Sequence, residues 1–181
     1  MNFFEDPIPI PEKFWSFETG ERFNNCSVCH QDLTLPGTSY IIEKGYKKTE
    51  VLFECAVCET CYEKLMNDLS VPSKKLIAHY MEEHIDAEKR MKMLMDTEHS
   101  TEEAWLSHCM VKGTPLNEVE EYQICGQCVG GHMKFSIFPY ALSHAAVEEL
   151  MQLLSSETLG ILNDFSDNLF DIDIPNRLLI L

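Results

Sequence analysis

The sequence predicts an α+β fold. An N-terminal cysteine-bearing module (knuckle, β-hairpin, helix) is followed by helices, a second β-hairpin and a C-terminal helix pair. Three observations predict it. Two CxxC pairs, Cys26/Cys29 and Cys58/Cys61, bracket runs of β-branched and aromatic residues. Two further strand-like runs, 122–128 and 133–138, meet at Gly130-Gly131. Between and after these runs, apolar residues recur at helical spacing.

Taken in order, residues 1–21 form an extended arm in which proline alternates with isoleucine, laid down by Phe3, Phe4, Phe14 and Trp15. Residues 22–70 form the module. "CSVCH" is a tight turn, 38–44 and 50–55 are strands with Gly45 at the reversal, and "CYEKLMNDL" is a helix with Leu65 and Leu69 on one face. Residues 71–181 form an acidic α+β region packed with the module as one unit. It opens with a helical stretch, 73–96, carrying Ile77, Tyr80, Met81 and His84 at i, i+3, i+4 and i+7. "HID" breaks that stretch, and Asp86 caps its second part, where Met91, Leu94 and Met95 share a face. Ser100 and Glu103 read as a capping box for a helix that runs through Cys109 and closes at Gly113. After the second hairpin, Ser143 and Ser155 or Ser156 cap two helices, the first with Val147, Leu150, Met151 and Leu154 as its apolar face. No internal repeat is read, although each half holds a hairpin flanked by a CxxC pair and a helix.

The chemistry lies in the cysteines. A two-residue gap lets a turn aim both sulfurs at one point, as tetrahedral zinc requires. The second pair stands where a strand gives way to a helix, and there the free N–H groups favour thiolate. Cys26, Cys29, Cys58 and Cys61 are therefore the first candidate site, with Zn2+ as its ion. Cys55 leaves a second register open, in which Cys55/Cys58 is the ligand pair; the helix that begins at Cys61 favours Cys58/Cys61. Knuckle, hairpin and a CxxC opening a helix resemble the treble-clef zinc finger over roughly residues 22–70, and Cys55 is the departure from that pattern. Over its full length the chain resembles bacterial proteins with an N-terminal CxxC…CxxC module and an α+β remainder. That resemblance implies a family without an assigned activity.

A second candidate zinc site would combine Cys109, Cys125, Cys128 and His132, in competition with plain core packing of the cysteines. "CGQC" is followed by a turn and a strand rather than a helix, which argues against dithiol redox chemistry. No phosphate loop, HExxH or deaminase signature is present. His79 and His84 are off the i, i+4 spacing of a shared metal, and the aspartates at 164, 167, 171 and 173 lack an EF-hand pattern.

Composition narrows the partners. Fourteen basic against thirty acidic residues give −16, and a four-thiolate zinc adds about −2 more. Such a field repels polyanions, so nucleic-acid binding is disfavoured and a protein partner is expected. No apolar run approaches the ~20 residues of a membrane span. "MNFFEDPIPIPEK" lacks a basic n-region and reads as no signal peptide, so the expected location is the cytoplasm, where thiols stay reduced. The expected function is that of a zinc-stabilised, non-enzymatic protein acting as an interaction or regulatory module. The rivals are a metal-dependent enzyme using the second site and a nucleic-acid-binding treble clef. The oligomeric state is not readable.

Overall fold

The computed structural model describes residues 8–96 and 101–170. An antiparallel sheet runs in the order β1 (Ile8–Pro9), β5 (His132–Lys134), β4 (Glu121–Val129), β2 (Ser39–Lys47), β3 (Glu50–Cys58), with β6 (Tyr140–Ser143) also on β4. β2 pairs with β4 along its whole length, from Ser39↔Val129 to Lys47↔Glu121. The hairpin of the cysteine module is thus continuous with the strands of the C-terminal half.

Successive residues of a strand face opposite sides, and both sides of this sheet are covered. Ile41 and Glu43 face the helical layer, α1 (Glu59–Asp68), α2 (Val71–His84), α5 (His144–Leu153) and α6 (Ser156–Leu169), with Leu65, Ile77, Leu150 and Leu162 at its core. Tyr40, Ile42 and Tyr46 face Phe14, Leu33, Trp105 and Leu106, which come from the arm, the knuckle region and the short helix α4 (Glu102–Leu106). Burial on two sides is why every residue of β2 from Tyr40 to Tyr46 is buried, Glu43 and Lys44 included, rather than alternate ones. Helix α3 (Ala87–Met95) is held from outside: Arg90 lies 4.8 Å over the Trp105 ring and donates to the Pro139 carbonyl at 2.9 Å.

The arm is fastened by charge as well as by Phe14. Lys44, only 4 % exposed, lies 3.1 Å from Glu54 and donates to the Trp15 carbonyl, while Glu54 accepts from the Ser16 hydroxyl and the Phe17 N–H, both at 2.8 Å. Burial pushes the Glu54 carboxyl up, but these donors and Lys44 outweigh it and hold it below the usual range.

Several expected elements are placed differently. Gly45 lies inside β2, where a Cβ would come within 2.1 Å of the Phe53 ring; the reversal falls at 48–49, with Lys48 at φ 56°. The second arm of the C-terminal hairpin stops at Lys134, and β6 takes over at Tyr140. Gly126 pairs in register with Ile42 and makes room for Phe14 and Met133. Helix α4 ends at Leu106, so Cys109 sits in a turn, and Thr101 caps Ala104. Ser100, Phe3, Phe4, Asp171 and Asp173 lie outside the described residues. The caps at Asp86, Ser143 and Ser155 stand as expected.

Candidate metal centre

The knuckle is built by backbone hydrogen bonds before any metal is considered. Cys26 N–H donates to the Gln31 carbonyl at 2.8 Å and His30 N–H returns to the Cys26 carbonyl at 2.9 Å; His30 takes φ 61° to close the turn. Ser27 fixes this turn to the outer edge of β3, giving its N–H to Ala56 O at 2.7 Å and accepting Ala56 N–H on its hydroxyl at 3.0 Å. That clamp brings Cys26 to the end of β3. There Cys58 takes the extended N-cap position of α1, and Cys61 follows in the first turn of the helix.

The four sulfurs of Cys26, Cys29, Cys58 and Cys61 lie within 4.8 Å of one another, and those of Cys29 and Cys58 are 3.6 Å apart. Tetrahedral zinc with bonds of ~2.3 Å sets its sulfurs about 3.8 Å apart, so the cluster could hold a metal ion such as zinc. All four are free thiols. Among the described residues no other group of three or more His, Cys, Asp or Glu side chains converges in this way.

The electrostatics suit a cation. The Cys26 sulfur accepts N–H bonds from Val28 at 3.4 Å and Cys58 at 3.3 Å. Burial pushes this thiol up, but backbone donors from Cys29, Cys58 and Val28 outweigh it and bring it down to about 7. Burial drives Cys58 and Cys61 the other way, and at Cys61 the thiols of residues 29 and 58 add to the rise. Four thiolates cannot crowd together on their own. A divalent ion lets all four ionise, with release of protons on binding.

Strand geometry separates the two registers. Cys55 pairs with Glu43 and packs in the helix-side core, whereas Cys58 pairs with Tyr40 and lies on the opposite face. Three residues apart on a strand is an odd step, so Cys55 and Cys58 point away from each other.

The second candidate set is not brought together, for the same reason. Cys125 lies in the helix-side core beside Tyr140, and Cys128 on the other face near Tyr40. Cys109 belongs to the Cys125 side, and His132 is an exposed residue at the start of β5. Of the other histidines, His79 is exposed beside Glu83 and His84 packs on the Tyr80 ring at 4.2 Å. The residues that sequence reasoning missed are Ser27, which docks the knuckle, and Val28, whose N–H turns to sulfur. Their only sequence signal is position: they fill the gap between Cys26 and Cys29.

No protein-family model, curated protein or solved structure matches this chain. Neither the treble-clef resemblance nor the resemblance to a bacterial family gains support from these comparisons.

Proposed function

We propose that the chain is a zinc-stabilised, non-enzymatic protein-interaction module. In this reading Cys26, Cys29, Cys58 and Cys61 hold one structural Zn2+ in treble-clef fashion, and the site ties the knuckle to the root of α1. The observation that carries it is the cluster of four sulfurs within 4.8 Å. Four protein thiolates close a tetrahedral shell and leave no position for a substrate or an activated water, which is what a structural site needs. Against a catalytic second zinc stands the splitting of Cys125 and Cys128 between the two cores. Against a nucleic-acid partner stands the charge of −16, which favours a basic protein instead. Thiolate ligation also calls for a reducing compartment such as the cytoplasm; no helix among the described residues is long and apolar enough to cross a membrane.

Metal content tests the reading. Chain purified without chelator should carry one zinc, and Cys26→Ser should lose it. Retention of a full equivalent by Cys26→Ser, or a wild-type chain that takes up no metal, overturns the assignment.

A further inference from the structure

The turn around Cys109 repeats the turn around Cys26 in its backbone hydrogen bonds. Cys26 N–H reaches Gln31 O at 2.8 Å, and Cys109 N–H reaches Thr114 O at 2.8 Å. His30 N–H returns to Cys26 O at 2.9 Å from a residue at φ 61°, and Gly113 N–H returns to Cys109 O at 2.8 Å from a residue at φ 67°. Asn25 bridges Asp32, and His108 bridges Pro115. Leu33 N–H bonds Asn24 O, and Leu116 N–H bonds Ser107 O. Each knuckle then docks on the outer edge of a strand in the same way: Ser27 N–H on Ala56 O at 2.7 Å, Met110 N–H on Ala141 O at 2.8 Å. Finally, Cys58 N–H points at the Cys26 sulfur, and Ser143 N–H at the Cys109 sulfur, both at 3.3 Å.

The rest of each half follows. Tyr40↔Cys58 to Glu43↔Cys55 in the first hairpin matches Tyr122↔Ser143 to Cys125↔Tyr140 in the second, and the turn pairs Lys47↔Glu50 and Val129↔His132 also correspond. Residues 135–139 interrupt the second copy, splitting one strand into β5 and β6. Helices α1 and α5 both have 10 residues; α2 and α6 both have 14, capped by Ser70 and Ser155. The sequences of 62–70 and 147–155, "YEKLMNDLS" and "VEELMQLLS", share Glu, Leu, Met, Leu and Ser in register.

The copies are related by a twofold axis. The antiparallel β2–β4 ladder centres on Glu43↔Cys125. On the helical side Ser70 N–H donates to Thr158 Oγ1 at 3.2 Å, Ser155 N–H donates to Ser73 Oγ at 3.0 Å, and the hydroxyls of Ser70 and Ser155 meet at 3.2 Å.

We infer that the chain is an internal duplication of one metal-binding module, and that Cys109, Lys112, Ser143 and Ala146 occupy the ligand positions of a second metal site rebuilt as a metal-free, hydrogen-bonded pole. They stand where Cys26, Cys29, Cys58 and Cys61 stand in the first copy. The replacements satisfy the remaining sulfur: Cys109 accepts the Lys112 N–H at 3.4 Å, the Ser143 N–H at 3.3 Å and the Ser143 hydroxyl at 3.4 Å. The Lys112 ammonium leaves the pole to pair with Glu149, and Ala146 fills the buried fourth corner.

The test restores the ligands in the full chain: Lys112→Cys, Ser143→Cys and Ala146→Cys together, with zinc per chain read by native mass spectrometry. The inference rests on the proposed zinc site only for the identity of the metal. Two zincs in the triple variant against one in wild type support it; one in each overturns it. Zero in wild type with one in the variant sinks the first-site reading and supports the second pole, and zero in both sinks both. Should the triple variant fail to fold around the larger residue at 146, Lys112→Cys/Ser143→Cys is loaded with cobalt. An added thiolate-to-cobalt charge-transfer band beyond that of wild type supports the inference, and its absence overturns it.

Discussion

Replacing Cys58 by serine isolates what the metal contributes. Cys58 is the N-cap of α1, and its N–H donates to the Cys26 sulfur. Serine is itself a good N-cap and keeps that N–H, so neither the helix start nor the backbone bond is lost. What goes is one thiolate of four. Structural zinc is worth about 10–16 kcal/mol of apparent binding in small zinc peptides, so a quarter of it is about 2.5–4 kcal/mol. At ~2–4 °C per kcal/mol for a chain of this size, the thermal midpoint should fall by roughly 5–16 °C. Cys55→Ala, at a site that is fully buried on the other face of the sheet, removes a buried sulfur but no member of the four-cysteine cluster. It should cost about 1 kcal/mol, or ~2–4 °C. Differential scanning fluorimetry with and without EDTA separates the two effects. Wild type and Cys55→Ala should lose the same stability when chelator is added, and Cys58→Ser should lose less, by the quarter already forfeited. The opposite pattern, with Cys55→Ala less sensitive to chelator than Cys58→Ser, would refute the reasoning and hand the site to the other register.

Other outcomes follow from the packing and the charges. Gly126→Ala puts a Cβ 2.7 Å from the Phe14 ring and 2.9 Å from the Met133 methyl, and should cost about 1–3 kcal/mol in urea unfolding. Gly160→Ala, inside α6 with nothing within 4 Å of its Cβ, should instead gain up to about 1 kcal/mol. Glu54→Gln leaves the buried Lys44 ammonium without its carboxylate and should cost about 3 kcal/mol near neutral pH. Because the folded Glu54 carboxyl titrates below its unfolded value, this contribution is present above the ordinary carboxylate pKa and fades as pH falls through the depressed one. The gap between wild type and Glu54→Gln should therefore close in acid denaturation series. Metal uptake by the cysteine cluster should release protons, seen as a buffer-dependent heat in titration calorimetry.

The four-cysteine cluster was legible because its signal is local. Two CxxC spacings and a helix start need no knowledge of distant contacts, and the caps at Asp86, Ser143 and Ser155 are equally local. What was not legible depends on pairing across the chain. Nothing near β2 announces that β4 lies beside it, and the interrupted strand of β5 and β6 has too short a second piece to stand out. Gly45 looked like a turn because glycine usually marks one, yet here it yields space to the Phe53 ring. The duplication was partly visible in "YEKLMNDLS" and "VEELMQLLS". It was hidden because the residues that attract attention, the cysteines, are those that changed: Cys29, Cys58 and Cys61 correspond to Lys112, Ser143 and Ala146. Cys125 and Cys128 drew the eye as a pair, although strand alternation sends them to opposite cores.

X-ray absorption at the zinc edge of the purified chain tests the central claim most directly. The account predicts a first shell of four sulfurs at about 2.3 Å with no lighter donor. A shell containing nitrogen or oxygen, or a chain that carries no zinc to measure, would contradict it.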